Sequence, residues 1–315
     1  MEANTDDAYR SGYVALAGRP NVGKSTLLNA LIGEHLSIVS AKAQTTRERV
    51  SGILTARSYQ ILFIDAPGLI EPRYALQEAM RLAANNAIAE ADVIVVMIDG
   101  TRPETMPDDE TLDSLRARSA PTLVAINKSD LIESRTQARL SEAVDRLGWP
   151  ALLISATAGE GLDALVERIV PLLPESPPLF PEEGTATQPL RFFAEEFVRE
   201  SCMDLLRDEV PYSVMCRVDE FREERDPVFI GIIIYVERES QKGIVIGRGG
   251  SAIKKIGQTS RRKIEELIGR RVYLELRVKV LAGWRRRPAR LRQLGFQLPA
   301  NARGANKGNN RPRVG

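Results

Sequence analysis

The stretch that decides the fold is GRPNVGKS at residues 18–25. It matches G-x-x-x-x-G-K-[ST], a loop in which glycines let backbone N–H groups curl around phosphate oxygens without clashes from Cβ atoms. A short apolar segment precedes the stretch and a helical segment begins near its end, which is the context that the motif requires. We therefore predict a phosphate-binding loop between the first strand and the first helix.

The loop predicts specific contacts to a nucleotide. We expect Lys24 to reach the β- and γ-phosphates and the Ser25 hydroxyl to bind Mg²⁺. The amino end of the following helix adds unpaired N–H groups and a favourable dipole. The nucleotide contacts expected from this region are Gly18, Asn21, Val22, Gly23, Lys24, Ser25 and Thr26.

Around the loop, strand-like and helical segments alternate through the first half of the chain. Short apolar segments at residues 13–18, 61–65, 93–99, 122–127 and 151–155 predict strands, and helical patterns cover 24–32, 74–89, 108–118, 135–147 and 162–172. Continuous apolar strands are typical of a parallel sheet that is buried on both faces. The alternation predicts an α/β, doubly wound domain, with a further strand near 49–56 as its antiparallel edge.

The next element of the expected site is DAPG at residues 65–68, which begins 40 residues after Ser25. Asp65 ends an apolar strand, where it can hold Mg²⁺ through water, and Gly68 lets its N–H approach the γ-phosphate. Between the loop and Asp65 lies QTTR at residues 44–47. A threonine there that reaches Mg²⁺ only in the triphosphate state would form a switch; Thr46 is favoured and Thr45 is the alternative.

Two further stretches that end strands predict how the base is chosen. In NKSD at residues 127–130, Asp130 can accept from guanine N1–H and from the 2-amino group, which adenine lacks. A polar group left unpaired discriminates between such ligands by roughly 10⁴-fold. The remaining expected base contacts are Asn127, Lys128, Ser155, Ala156 (through its N–H to guanine O6) and Thr157.

The second half of the chain has a different organisation. Six prolines crowd residues 171–189, and because proline removes donors and stiffens the backbone this stretch predicts a linker. Beyond it, the patterns predict a helix at 191–209, strands at 212–221 and 228–238, two helices that flank 247–250, and a strand at 271–280. The order helix, strand, strand, helix, helix, strand indicates a separate α+β domain.

Charge is distributed unevenly along the chain. Residues 240–315 hold 20 Lys/Arg and 3 Asp/Glu, a net charge of +17. The rest of the chain holds 24 Lys/Arg and 39 Asp/Glu, a net charge of −15, although the whole chain has a net charge of only +2. This uneven charge distribution favours an anionic partner at the C-terminal end, and a nucleic acid is favoured over a membrane. The longest apolar run is nine residues, against about 18 needed to span a bilayer. With no leader pattern, two isolated cysteines and one histidine, we expect no secretion, disulfide or zinc site.

Together, GRPNVGKS, QTTR, DAPG, NKSD, SAT and the later VIGRGG resemble the bacterial Era GTPase family over about residues 10–283. The resemblance implies a P-loop NTPase (Ras-like) domain, at 1–173, and a type II KH domain, at 191–283, on either side of the proline-rich linker at 174–190. Beyond Trp284 the chain departs from the family, and its basic composition without acids predicts a disordered tail at 284–315. The family's KH domain binds RNA at a GXXG loop, which clamps backbone nucleotides. The RNA-binding residues implied here are Gly247, Arg248, Gly249, Gly250, Lys254 and Lys255.

The resemblance also implies function, cofactors and partners. The family hydrolyses GTP to GDP with Mg²⁺, binds the 3′ end of 16S ribosomal RNA and assists assembly of the 30S subunit, with some peripheral membrane association. We expect a cytoplasmic monomer and no DNA partner. Leu69 stands where Ras-type enzymes orient water with glutamine; in the family, an asparagine at the position of Asn21 supports a potassium ion instead. The residues expected to act in hydrolysis are Asn21, Lys24, Thr46, Asp65 and Gly68.

Three other hypotheses compete with a GTP-dependent RNA-binding switch. In one, the chain is an RNA-binding module with an idle nucleotide site, which the intact Lys24, Ser25 and Asp65 disfavour. In another it is an ATP-driven enzyme, which Asp130 disfavours. The third is the related double GTPase that also ends in a KH-like domain, but this chain has one phosphate loop.

Overall fold

The first domain is built on a six-stranded mixed sheet. The computed structural model describes residues 8–40, 42 and 45–300. The strands are β1 (Arg10–Ala17), β2 (Val50–Thr55), β3 (Tyr59–Asp65), β4 (Val93–Asp99), β5 (Thr122–Asn127) and β6 (Ala151–Leu153). Their order is β2-β3-β1-β4-β5-β6, and every pairing is parallel except that of β2 with β3. The predicted parallel sheet and its antiparallel edge strand are confirmed.

Helices cover both faces of this sheet. They are α1 (Lys24–Ile32), α2 (Ala75–Glu90), α3 (Asp109–Arg116), α4 (Ser134–Asp145) and α5 (Leu162–Ile169). On one face of the sheet, Val93 and Val95 of β4 pack with α1 and α5. On the other face, Ile94 and Val96 pack with α3 and α4, so neither face of the strand is polar. Since the carboxyl ends of parallel strands meet at one edge, the loops that follow them meet there too.

The proline-rich linker, residues 174–190, is packed against the first domain along its length. The Ile53 N–H of the edge strand β2 donates to the carbonyl of Thr185 at 2.9 Å. The side chain of Gln60, which is fully buried, accepts from the N–H groups of Leu179 and Phe180 at 2.8 and 2.9 Å and donates to the Phe180 carbonyl. The linker therefore continues the sheet at its exposed edge.

The second domain follows with the predicted order of elements, apart from one additional short helix between the first helix and the first strand. Its elements are α6 (Leu190–Leu205), α7 (Val210–Ser213), β7 (Met215–Arg222), β8 (Val228–Val236), α8 (Glu239–Ile246), α9 (Ser251–Ile268) and β9 (Val272–Val280). The strands form a sheet in the order β7-β8-β9, with β8 antiparallel to β7 and parallel to β9. Within the described part of the chain, no helix is long and apolar enough to cross a membrane.

The expectation of a disordered tail from residue 284 is wrong for residues 284–300. The chain forms a 3-10 turn at Trp284–Arg286 and a helix, α10 (Pro288–Gln293). Trp284, Leu291 and Phe296 are buried and pack with Met215 and with α2 of the first domain. Burial of these apolar side chains outweighs the local excess of arginine. Residues 301–315 lie outside the described part of the chain.

Candidate functional site

A cavity of about 550 Å³ opens at the edge of the first sheet where its parallel strands end. The loops that follow five strands and α1 contribute to its walls. Its lining includes most of the residues predicted to contact the nucleotide: Asn21, Gly23, Lys24, Ser25, Thr26, Thr46, Gly68, Asn127, Lys128, Asp130 and Thr157. Gly18, Val22, Asp65, Ser155 and Ala156 lie behind this lining, in the loops that shape it.

The phosphate-binding loop needs glycine at two positions for steric reasons. Gly18 and Gly23 have φ angles of +150° and +103°, which side chains rarely adopt. A Cβ atom on Gly23 would lie 2.1 Å from Asn127 Nδ2, and one on Gly18 would lie 2.5 Å from the Met97 carbonyl oxygen. The loop can therefore stay closed against β4 and β5 only with glycine at these points.

Lys24 is buried at the base of the cavity and has a relative exposure of 6%. Its Nζ donates to the carbonyl oxygens of Gly18 and Arg19 at 3.3 and 3.1 Å. Burial lowers the pKa of Lys24, and the nearby Asp65 carboxylate partly opposes this change. A buried ammonium that donates to two carbonyl oxygens still carries a positive charge, which favours an anionic ligand such as phosphate.

Three oxygen-bearing side chains converge beside Lys24. Ser25 Oγ donates to Asp65 Oδ2 at 2.6 Å, and Thr46 Oγ1 lies 3.1 Å from Ser25 Oγ and 3.3 Å from Asp65 Oδ2. Asp65 is fully buried, and burial, opposed by Lys24 and by hydroxyl hydrogen bonds, raises the pKa of its carboxyl. Its Oδ1 accepts no hydrogen bond from the residues that the structure describes. Carboxylate and hydroxyl oxygens suit Mg²⁺, so these residues fit that ion.

The structure separates the two candidate switch threonines. Thr46 lies against Ser25 and Asp65, whereas Thr45 Oγ1 donates to the carbonyl of Lys42 at 2.9 Å. Both residues line the cavity, but the Thr46 hydroxyl is the one that meets the expected metal ligands. Gln44, which precedes them, lies outside the described residues.

Gly68 and the phosphate-binding loop together form one wall of the cavity. A Cβ atom on Gly68 would lie 2.7 Å from Pro20 N, so glycine is required for the two loops to touch. Leu69 is partly buried among apolar residues and presents no polar group. Asn21 lines the cavity with a φ of +65°, and its carbonyl accepts from Lys128 Nζ at 3.3 Å.

The expected base-reading residues lie on the loops after β5 and β6. Asn127 bridges the site, because its Nδ2 donates to the Val22 carbonyl at 2.8 Å and its Oδ1 accepts from the Ala156 N–H at 2.9 Å. This differs from the expected use of the Ala156 N–H for guanine O6, since that donor is already engaged. Asp130 and Thr157 are exposed at the rim of the cavity, where a base could reach them.

Asp99, at the end of β4, is a site residue that the sequence reasoning missed. Its carboxylate is 1% exposed and accepts from Lys128 Nζ at 2.6 Å and from Arg102 and Thr101. Burial alone would raise the pKa of Asp99, but these hydrogen bonds outweigh burial and lower it. Asp99 thus fixes the Lys128 side chain across the cavity. The available signal was a carboxylate at the end of an apolar strand, as Asp65 is in DAPG.

In the second domain, GRGG at residues 247–250 forms the turn between α8 and α9. Gly247, Gly249 and Gly250 all have positive φ angles, of 73°, 58° and 79°. No side chain caps the amino end of α9, an 18-residue helix, so the helix dipole there favours an anion. Arg248 and Gly249 are exposed, which leaves this backbone accessible to phosphate groups.

The cations beside this turn fall into two groups. Lys254 and Lys255, in the first turns of α9, are exposed next to the GXXG loop. Lys263, further along α9, instead donates to Glu200 Oε2 at 2.6 Å, so it is committed within the protein. The structure therefore keeps the predicted RNA-binding cations together near the loop.

The two sites together define a class of protein. A P-loop, two hydroxyls beside a buried carboxylate, and a strand-end asparagine and aspartate surround one cavity, and a GXXG turn joins two helices in a separate domain. This is a P-loop GTPase followed by a KH domain. Protein-family models agree: one described as a 50S ribosome-binding GTPase matches residues 13–128, and one described as a KH domain matches residues 209–285.

Relatives of known name place the chain more narrowly. It is 42% identical over 294 residues to GTPase Era of Carboxydothermus hydrogenoformans, which covers 92% of this chain and 98% of the relative. It is 41% identical to GTPase Era of Geobacter metallireducens, with 93% and 99% covered. This chain belongs to the Era family of GTPases.

Solved structures agree with this assignment. An Aquifex aeolicus Era variant bound to GDP·AlF4⁻ has a TM-score of 0.86 and 42% identity, with 92% of this chain and all of that chain covered. The same values hold for Era in complex with MgGDPNP and nucleotides 1506–1542 of 16S ribosomal RNA. The likeness spans both domains, so the order of GTPase domain and KH domain is common to all three chains.

Proposed function

We propose that this chain is a magnesium-dependent GTPase switch in the cytoplasm, whose KH domain binds the 3′ end of 16S ribosomal RNA during assembly of the small ribosomal subunit. The observation that carries the proposal is the joint presence of the nucleotide cavity and the accessible GXXG loop in one chain. It is supported by the Era structure described as a complex with MgGDPNP and 16S ribosomal RNA, which is similar over 92% of this chain.

Different residues of the cavity have different roles in nucleotide binding and hydrolysis. Lys24 and the amino end of α1 hold the β- and γ-phosphates, and Gly68 offers its N–H to the γ-phosphate. Ser25, Thr46 and Asp65 would hold Mg²⁺, which neutralises charge that develops between these phosphates. Because Thr46 belongs to a loop rather than to a strand or helix, its place at the metal can depend on the γ-phosphate.

Water activation needs a device other than a glutamine, since Leu69 is apolar. We propose that Asn21 supports a potassium ion beside the phosphates. Its position on the cavity wall and the amide oxygen of its side chain are consistent with this role, because carbonyl-type oxygens are the ligands that potassium takes in proteins.

The RNA would lie along the GXXG loop with its phosphates toward the amino end of α9. Gly249 and Gly250 let the backbone approach phosphates closely, and Arg248, Lys254 and Lys255 supply charge. We propose a monomer that carries both activities, with a peripheral membrane contact as a secondary location.

The experiment that tests the RNA part is the variant Arg248→Asp with Gly249→Asp. Carboxylates would then stand where phosphates must bind, so affinity for a 16S 3′-end oligonucleotide should fall at least about tenfold, or 1.4 kcal/mol. GTP affinity should stay within about twofold because distant sites behave independently. A matched control is Arg270→Asp with Gly269→Asp, which makes the same changes at the opposite end of α9; it should keep RNA affinity.

The GTPase part is tested by turnover of the full chain with and without this RNA. Hydrolysis that depends on Mg²⁺ and disappears in Lys24→Ala is the expected result. Nucleotide binding without turnover under both conditions would instead mean that the nucleotide site is idle. Normal RNA affinity in the Arg248/Gly249 variant would move the RNA site away from the KH loop.

A further inference from the structure

The loop that carries Thr46 lies along helices of the KH domain. We call residues 34–49 the switch segment; of these, Ala41, Ala43 and Gln44 lie outside the described part of the chain. His35 Nε2 is 3.0 Å from Glu200 Oε2, the Val39 N–H donates to Glu200 Oε1 at 3.4 Å, and Lys42 Nζ donates to the Leu206 carbonyl at 3.0 Å. The KH domain thus contacts the switch segment at its beginning and in its middle.

The end of the switch segment is held most firmly, by Arg47. This side chain is 4% exposed and is inserted into the KH domain. Its Nη1 donates to the Val214 carbonyl at 2.5 Å, its Nη2 donates to the Tyr212 carbonyl at 3.0 Å, and its guanidinium lies 5.7 Å from the centre of the Trp284 ring. Two carbonyls and an indole face therefore form a socket that matches a planar cation.

Burial in this socket lowers the pKa of Arg47 to about 9, with Arg199 as a further cause. Arg47 therefore stays protonated at neutral pH, and its charge is retained inside the interface. Removal of the side chain would leave the Val214 and Tyr212 carbonyls without these donors and would open a space beside Trp284. The shape and hydrogen-bond acceptors of the socket therefore suit an arginine at position 47, directly after Thr46.

Arg47 is covalently adjacent to Thr46, so their Cα atoms are about 3.8 Å apart. A fixed Arg47 limits where the Thr46 backbone can go. In this arrangement the Thr46 hydroxyl is already 3.1 Å from Ser25 Oγ and 3.3 Å from Asp65 Oδ2, in the region expected to hold the metal. The KH domain and the metal site therefore constrain the same short stretch of backbone from opposite sides.

We propose that Arg47 is a positioning residue through which the KH domain holds Thr46 at the magnesium site. It touches neither nucleotide nor metal; it acts through Thr46. Because Thr46 is expected to contribute only when the γ-phosphate is present, the contact should strengthen binding of GTP and not of GDP. The inference rests on the proposed function of the nucleotide site.

The test compares Arg47→Ala and Arg47→Lys with Arg49→Ala in the full chain. Arg49 is half-exposed and pairs with Glu90 on α2, so its loss removes a cation from the same segment without touching the socket. In Arg47→Ala, affinity for a non-hydrolysable GTP analogue should fall about tenfold, the equivalent of one hydrogen bond to a charged group. The Mg²⁺ concentration needed for half-maximal binding of the analogue should rise.

Affinity for GDP should stay within about twofold of the unaltered chain, because Thr46 is expected to contribute only when the γ-phosphate is present. Arg47→Lys keeps the charge and can reach one carbonyl, so it should restore part of the loss, and Arg49→Ala should match the unaltered chain. Thermal unfolding of each variant establishes that it is folded. If Arg47→Ala does not fold, the comparison is made with Arg47→Lys alone.

Equal losses for GTP analogue and GDP would mean that Arg47 only supports the fold, and unchanged affinities for both would mean that the socket does not reach Thr46. Either result overturns the inference and leaves the proposed function standing. Failure of the unaltered chain to prefer GTP over ATP would instead overturn the proposed function itself.

Discussion

The nucleotide site and the GXXG loop are both suited to phosphate groups, but they are built in opposite ways. In the first, Lys24, Asp65 and Asn127 are buried, at 6%, 0% and 3% exposure, and most of their polar atoms are bonded within the protein. In the second, Arg248 and Gly249 are exposed and the end of α9 is uncapped. Buried and prearranged groups select one ligand by the cost of leaving them unpaired, whereas an exposed basic loop accepts many sequences and depends on ionic strength.

The sharpest test of selectivity at the nucleotide site is Asp130→Asn, which changes an exposed carboxylate at the rim of the cavity. The preference for GTP should change to a preference for xanthosine triphosphate, because xanthine's 2-oxo group can accept where guanine's 2-amino group donates. The relative affinity should change by about 10⁴-fold, the size expected for unpaired polar groups in a site. Competition between the labelled nucleotides measures this ratio.

The control for that change is Asp163→Asn, which alters an exposed aspartate outside the cavity and should leave both affinities unchanged. An unaltered chain that bound ATP within about tenfold of GTP, a difference of only about 1.4 kcal/mol, would contradict selection at this site.

The variant Trp284→Ala tests whether the GTPase domain and the KH domain unfold as one cooperative unit. Trp284 is fully buried, donates through Nε1 to the Ser213 carbonyl at 2.9 Å, and packs with α2 of the GTPase domain. Its loss should lower the free energy of unfolding by about 3–5 kcal/mol. Denaturant unfolding monitored at each domain should show both transitions shifted.

Trp149→Ala, which removes a partly buried tryptophan within the GTPase domain, is the comparison and should cost less. If Trp284→Ala shifted only the transition of the KH domain, the two regions would be independent units.

The monovalent cation is the next test, because Leu69 supplies no polar group where Ras-type enzymes orient water with glutamine. Turnover should be clearly faster in potassium than in sodium at equal ionic strength, and Asn21→Ala should remove the difference. The acceleration should lie below the roughly 10³- to 10⁵-fold that an arginine finger supplies. Equal rates in the two salts for the unaltered chain would show that the water is activated in another way.

The smallest expected effect concerns the arginines of the C-terminal segment. Because residues 284–296 are packed against α2, removal of the whole segment would disturb the fold; substitution is the cleaner test. Arg286, Arg287 and Arg290 are exposed. Changing all three to Gln should reduce the dependence of log RNA affinity on log salt by about 0.7 for each phosphate that an arginine no longer neutralises.

Cutting the chain after Ala300 serves as the partner measurement, since it removes four further cations and leaves α10 in place. An unchanged salt dependence in both variants would confine RNA binding to the KH loop.

The parts of the molecule that the sequence predicted are those set by local pattern. The strands of the first sheet are continuous apolar runs, and GRPNVGKS, DAPG and NKSD each end or follow such a strand, so the fold brings them to one edge. Asp99 ends an apolar strand, as Asp65 does, but its role depends on a contact to Lys128, 29 positions away, and the local pattern does not encode that contact.

The C-terminal segment was mispredicted for a related reason. Leu291, Leu294 and Phe296 are apolar, but Arg292, Gln293 and Gly295 separate them, and the composition resembles a solvated tail. What orders them is a surface contributed by α2, more than 200 positions earlier in the chain. The contacts of Arg47 were equally invisible, because they join a loop of one domain to backbone carbonyls of the other.

The proline-rich linker has a consequence for how the protein behaves at high concentration. A strand at the border of a sheet presents unpaired N–H and C=O groups, and such a border can recruit a strand from another molecule. In this chain, the Thr185 carbonyl occupies the Ile53 N–H, and a β-bridge joins Gly52 to Ala186. Because prolines cannot donate in turn, the outer side of the linker is a poor template for further strands. The linker therefore covers the edge of β2 and prevents it from pairing with another molecule. A chain that ended at residue 173 would expose this edge and should aggregate more readily.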